Sequence, residues 1–358
     1  MQDDACLLTL CLKNDRITES QPPGNMNVRQ NSDGGSIHPA EHAVKGGTDM
    51  EHNEMLDFLK EEGISDRIID EIKYFRNYYK LDADLEDRVP VPQYKYYGKE
   101  VWEEAITAIL AGENILLDGP KATGKNVLAQ GLSNVFHRPE WDISFYINTD
   151  SASLIGTDTF ENGKVTLRKG PIYRVAEAGG FGVLDEINMA KNESLAVLHA
   201  TLDFRRFIDV PGYDKIKLKE STRFIGTMNY GYAGTREVNE ALASRFVVIH
   251  MPVITKEGLK KLIRDKFPNL KEEYTEQFAD LFMEIRKKCE SGEISTKALD
   301  LRGLLASIHM MDRGLDPVRA IELGMVNKCF DDYERQLVDD MVSVRLPGDL
   351  TRDRIFTE

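Results

Sequence analysis

The stretch GENILLDGPKATGKN, Gly112–Asn126, decides the fold. Ile115 to Leu117 read as a short buried strand, and Gly119 and Gly124 bracket a turn that leads into the helical run NVLAQGLSNVF. Glycine tolerates backbone angles that a side chain forbids, so successive N–H groups of the turn can converge on an anion. The helix that follows adds the positive end of its dipole, and Lys125 is placed to reach outer phosphates. The stretch fits G-x-x-x-x-G-K-[ST] except at its last position, where Asn126 replaces a hydroxyl residue. The candidate nucleotide-binding residues are therefore Gly119, Pro120, Lys121, Ala122, Thr123, Gly124, Lys125, Asn126 and Val127. ATP and Mg²⁺ are the expected cofactors. The hydroxyl usually completes the octahedral shell of Mg²⁺; the Asn126 amide oxygen is also a hard neutral ligand but sits one bond further out. ATP binding is expected to survive that change better than fast hydrolysis.

Further elements follow downstream. In GGFGVLDEINMA, the apolar run Phe181–Leu184 ends on Asp185 and Glu186. Strand ends line the ligand crevice of an α/β sheet, which suits Asp185 to hold the metal through water and Glu186 to polarise an attacking water. TRFIGTMN ends on Asn229, an amide able to orient that water, and NEALASRF places Arg245 just before another strand. An arginine not held by its own chain's nucleotide can serve a neighbouring subunit in trans. Each also has a bland reading: a solvated Asp-Glu pair, an asparagine that opens a turn, a surface arginine in a salt bridge.

Around these elements, apolar strands alternate with helices as far as Pro252. ISFYINT, FGVLDE, RFIGTMN and FVVIHMP are the strand-length runs after the loop. The pattern predicts an α/β fold, a P-loop NTPase core whose parallel sheet is covered by helices on both faces. After Pro252 only helical spacing remains, which predicts an all-helical lid domain. The boundaries are 1–53 for a disordered tail, 54–96 for a helical lead-in with an extended connector (VPVPQYKYYG), 97–254 for the core and 255–358 for the lid with a C-terminal tail. Residues 14–51 are rich in Gly, Ser, Asn, Pro and Asp and lack apolar periodicity, hence the expected disorder. LIGTDTFENGKVTLRKG reads as a β-hairpin turning at Asn162-Gly163.

Composition narrows the function. A formal net charge of −14 over 358 residues argues against broad nucleic-acid binding, which needs a basic face. No apolar run approaches the roughly 18 residues of a membrane span, and acidic residues in Met1–Leu12 sit where a secretory signal needs positive charge. A cytoplasmic protein without membrane contact is the expectation. Cys6, Cys11, Cys289 and Cys329 have no metal-ligand spacing and read as reduced thiols.

In this order, GPKATGKN, GVLDEIN, FIGTMN and EALASRF resemble the Walker A, Walker B, sensor 1 and arginine-finger elements of the AAA+ ATPases. LRKGPIYRVAEAGG and YAGTREVNEALASRF are similar to the MoxR branch and its CbbQ/NirQ/NorQ-type members. The resemblance implies a homo-oligomeric ring, usually a hexamer, with ATP bound between subunits and hydrolysis moving the lid. It also implies remodelling or activation of a client protein, often with a von Willebrand factor A domain partner. Carried onto this sequence, Lys125 contacts phosphate, Asp185 and Glu186 serve metal and water, Asn229 is sensor 1 and Arg245 is the finger. For sensor 2, Arg302 in LDLRGLL is preferred to Lys297 because a guanidinium grips phosphate bidentately; Arg236 is a second inter-subunit candidate. In this branch the hairpin faces the pore or client, which makes Phe160 a contact candidate. A non-hydrolysing, ATP-dependent assembly switch and a nucleic-acid-linked motor are the competing readings. A small-molecule kinase would leave Arg245 without a purpose.

Overall fold

The structure is a computed structural model that describes residues 48–210, 212–229, 238–348 and 350–357. Most of the expected disordered tail, with Cys6 and Cys11, and the candidate Arg236 lie outside the described residues.

The helical lead-in forms two helices, α1 (Thr48–Glu61) and α2 (Asp66–Tyr78). Gly63, with a φ of +87°, lies in the turn between them. The connector holds no strand and leads into α3 (Lys99–Leu110), β1 (Ile115–Asp118) and α4 (Lys125–Val135). Then come β2 (Glu140–Ser144), α5 (Ser151–Ile155), the hairpin β3 (Gly156–Glu161) and β4 (Lys164–Lys169), α6 (Pro171–Ala178) and β5 (Phe181–Asp185). Short helices α7 (Asn192–Leu195) and α8 (Leu198–Leu202) precede a small hairpin, β6 (Phe207–Ile208) and β7 (Ile216–Lys217). The core closes with β8 (Arg223–Met228), α9 (Glu240–Ala243) and β9 (Val247–His250).

Strands β2, β5, β8, β1 and β9 form one sheet in that order, and every pairing is parallel. Alternate residues of β1 face opposite ways, as the strand period requires. Ile115 and Leu117 join the core beneath α1 to α4, while Leu116 joins Leu184 and Phe224 on the other face. The lead-in is thus part of the core: Leu59, Ile69 and Ile72 are fully buried with Trp102 and Leu132. Arg76 on α2 donates to Val135 O at 2.7 Å and Asn134 O at 3.2 Å, capping the carboxyl end of α4.

Strand β2 corrects the reading of ISFYINT. It begins earlier, at Glu140, and after Phe145, whose N–H still donates to Asp185 O, the chain turns through Tyr146–Thr149. The start is hidden in sequence because its first residue is a glutamate, and Glu140 is buried with Oε2 unpartnered. Burial pushes its carboxyl from 4.5 up to about 7. The group therefore binds a proton more tightly in the fold than in the open chain. Its stability contribution is complete below pH 4.5 and is lost as pH rises through about 7. Glu140→Gln is expected to be more stable than the natural chain at pH 8, by on the order of 3 kcal/mol. That gap should close near pH 4.5, as read from denaturant midpoints; a gap independent of pH would contradict the assignment.

The lid contains α10 (Lys256–Lys266), α11 (Glu272–Glu290), α12 (Leu301–Asp312), α13 (Pro317–Gly324) and α14 (Asp332–Arg345) around a core that includes Phe278, Phe282, Leu304 and Ile321. The last segment is no loose tail. Helix α15 (Arg352–Ile355) folds back so that Ile355 and Phe356 are buried, and Phe356 bridges to Leu270. Among the described residues, no helix is long and apolar enough to cross a membrane.

Candidate active site

The site begins where β1 leaves the sheet. A Cβ at Gly119 would lie 2.8 Å from Met251 O on the chain leaving β9, so only glycine passes there. Gly124 holds a φ of +84° as the residue before α4, with the Tyr96 ring 3.1 Å from where its Cβ would stand. The first-turn N–H groups of α4 have no acceptors within the helix, the usual setting for anion binding. Lys125 is buried and folded over its own loop, donating to Gly119 O and Pro120 O, each at 2.8 Å. Burial lowers its pKa to about 8, against the opposing pull of Asp118, Asp185 and Glu186. The ammonium thus lies within the field of all three carboxylates.

Two strands away, β5 delivers Asp185 and Glu186. Thr227 on β8 ties the pair together: its hydroxyl donates to Asp185 Oδ1 at 2.7 Å and accepts from the Glu186 N–H at 3.1 Å. Glu186 adopts a φ of +54°, a region few non-glycine residues enter. Its Oε1 accepts from Asn229 Nδ2 at 3.1 Å, and the Asn229 carbonyl accepts from Asn188 Nδ2 at 2.6 Å. Adjacent strands β5, β8 and β1 therefore bring Asp185, Glu186, Asn229 and Lys125 to their shared carboxyl ends.

Comparison with known proteins agrees with this geometry. Residues 114–246 match the AAA domain (dynein-related subfamily). The chain is 33% identical to YojN, an uncharacterized protein of Bacillus subtilis, over 263 residues, covering 72% of this chain and 86% of YojN. The chain belongs to the AAA family. Another relative of this AAA protein, the uncharacterized SAB1265c of Staphylococcus aureus, is also 33% identical, over 70% of this chain and 97% of its own. A solved structure from Cytophaga hutchinsonii, provisionally assigned as an ATPase, aligns over 84% of this chain and 99% of its own. At 17% identity and a TM-score of 0.39 it carries no weight here.

The remaining candidates of the AAA protein are distributed unevenly. Arg245 is not with the others. Val247, two residues on, pairs with Ile115 at the amino end of β1, whereas the loop leaves the carboxyl end. Arg245 thus stands at least about 13 Å from its own loop along the strand axis. Its guanidinium donates to His199 O at 3.1 Å and to Ala241 O, and lies 3.8 Å from Asp203. Arg302 is exposed in the first turn of α12, capped by Asp300, whose carboxyl is also influenced by Lys121 of the loop. Lys297 instead lies over the Phe330 ring at 5.5 Å.

A cleft of about 190 Å³ separates the loop from the lid, bounded by Pro120, Lys121 and Ala122 on one side and Phe282, Arg286 and Leu299 on the other. Arg286 donates to Ile254 O at 2.6 Å and braces the segment that links core to lid. A more open hollow along His309, Met310, Arg313 and Leu315 has none of the site's groups.

Sequence reading missed Thr227, Asn188, Asp118 and Arg286. Thr227 was detectable, being two residues before Asn229 and hence on the same face of an apolar strand. Asp118 Oδ2 lies 3.0 Å from His250 Nδ1, within hydrogen-bond distance, and its Oδ1 is buried and unpartnered.

Proposed function

We propose that this AAA protein hydrolyses ATP within a homo-oligomeric ring and uses the cycle to remodel or activate a client protein, in the manner of the MoxR branch. The observation that carries the reading is the bonded set Asp185–Thr227–Glu186–Asn229 within the electrostatic reach of Lys125. A structural cluster would have no need of a strained glutamate whose carboxylate is exposed yet held by an amide.

In this mechanism the loop N–H groups and Lys125 hold the phosphates, and the base and sugar take the cleft between loop and lid. Glu186 accepts the proton of the attacking water, and Asn229 fixes the carboxylate's direction. Asp185 and Asn126 supply oxygen ligands of the type Mg²⁺ prefers; when bound, the ion would offset charge on the phosphates. Arg245 serves the site of the adjacent subunit, and Arg302 brings the lid to the phosphates. Phe160 is 75% exposed and pairs with Val165, 62% exposed, on the hairpin. We assign this apolar tip to contact with the client, with a von Willebrand factor A domain protein as the accompanying partner.

Asn126 favours a second reading, an assembly switch that binds ATP without turning it over. Asn126→Thr distinguishes the two. For an ATPase, restoring the hydroxyl is expected to raise turnover by about threefold to tenfold and to lower the Mg²⁺ concentration needed for half-maximal rate. Tight ATP binding with no phosphate release from the natural chain, and release from the variant, would establish the switch instead.

A further inference from the structure

The surface around Arg245 carries more than one arginine. Asp203, on the turn after α8, is the hub: its carboxylate accepts from Arg205 Nε at 3.1 Å through Oδ1 and at 2.9 Å through Oδ2, and from Arg205 Nη2 at 2.5 Å. The backbone N–H of Arg205 donates to the same Oδ1 at 2.9 Å, and Arg245 Nη2 stands 3.8 Å from Oδ2. The Asp203 side chain is only 11% exposed, against 45% for Arg205 and 23% for Arg245. Between Asp203 and Arg205, Phe204 is 92% exposed, the most exposed large apolar side chain among the described residues.

The place of this cluster excludes a role at its own loop. Asn114, the residue before β1, donates to Leu202 O at 3.2 Å and accepts from Phe224 N at the start of β8. Asp203 is therefore tied to the amino ends of the strands, on the side of the sheet opposite the nucleotide loop.

We propose that Asp203 is the positioning residue of a paired cationic device. It holds Arg245 and Arg205 together on a face that docks onto the carboxyl-end site of a second copy of this chain, with Phe204 as the apolar contact. This rests on the reading that Arg245 works in trans. A second copy is the fitting occupant by charge. On a chain of net charge −14, two guanidinium groups gather at one carboxylate that is followed in sequence by the exposed Phe204, and the opposing site offers Asp118, Asp185 and Glu186 in addition to a nucleotide's phosphates. A guanidinium that stabilises a transition state must be held close to its productive position. Arg245 achieves this with Asp203, His199 O and Ala241 O, and Arg205 achieves it through Asp203 alone among the bonds described.

The test uses the full chain and mixed subunits. Asp203→Asn is expected to lower ATP turnover about tenfold to a hundredfold with ATP affinity unchanged, and Asp203→Glu to recover part of the loss. Adding excess Glu186→Gln, whose own site is disabled but whose Asp203 face is intact, should raise turnover by Asp203→Asn several-fold. Unchanged turnover in Asp203→Asn overturns the proposal. So does a failure of Glu186→Gln to rescue Asp203→Asn when it does rescue Arg245→Ala, and in that case the trans arginine itself stands. Rescue of neither variant overturns the trans reading and this proposal together. If Asp203→Asn does not fold, judged by its thermal transition, Arg205→Gln takes its place; it should lose turnover and be rescued in the same way, and undiminished turnover would overturn the proposal.

Discussion

Glu186→Gln is expected to lower phosphate release by about a hundredfold to ten-thousandfold while ATP binding persists. The substitution is nearly isosteric, and the glutamine Oε1 can still accept from Asn229 Nδ2, so the local geometry is kept. What disappears is the negative charge that draws a proton from water. Because Glu186 is exposed and at the end of β5, the change should leave thermal stability within about 0.5 kcal/mol of the natural chain. Phosphate release measured beside equilibrium binding of a fluorescent ATP analogue checks both halves. Undiminished release would remove Glu186 as the base and return it to an ordinary solvated carboxylate.

Arg245→Ala carries the other large expectation, a loss of about a thousandfold or more in turnover. The reason is positional. The register of β9 on β1 puts Arg245 at the end of the sheet away from the loop, so any service to a phosphate must be to another subunit's. The variant should bind ATP as the natural chain does, and its residual turnover should be linear in protein concentration where that of the natural chain rises more steeply. Arg245→Lys should recover little, since an ammonium lacks the planar fork. If Arg245 only joins Asp203 and two backbone carbonyls for local structure, alanine would cost stability but not turnover per folded molecule, and that outcome would contradict the assignment.

The parts of this fold that show in the sequence are those made by local pattern. The apolar runs of β1, β5 and β8 are buried, and the Asn162-Gly163 turn, with φ of +52° and +78°, follows from residue type alone. Where a residue's environment comes from far along the chain, sequence is silent. Glu140 lies outside the apolar run ISFYINT, yet it opens β2, paired with Phe181 across the sheet. Residues 352–357 look like a tail but return to the lid, where Lys271 donates to Asp353 O and Arg354 O at 2.8 Å. The same holds in the site. Lys125, Asp185, Glu186, Asn229 and Arg245 are visible as motif positions; the Thr227–Asp185 bond and the approach of Arg245 to Asp203 arise only when separate strands and turns meet. Arg302 opens α12, where the capping Asp300 feels the charge of Lys121, whereas Lys297 lies over the Phe330 ring, a difference in surroundings that the sequence does not show.

The central claim is that the loop and the carboxylates form one working site for ATP. The most direct measurement follows ATP binding and phosphate release on a single preparation of the full chain with Mg²⁺, over a range of protein concentrations. Saturable binding together with Mg²⁺-dependent release, at a rate per subunit that rises with concentration, is the predicted result. Saturable binding without release would contradict hydrolysis and leave an assembly switch, and no binding at all would contradict the site itself.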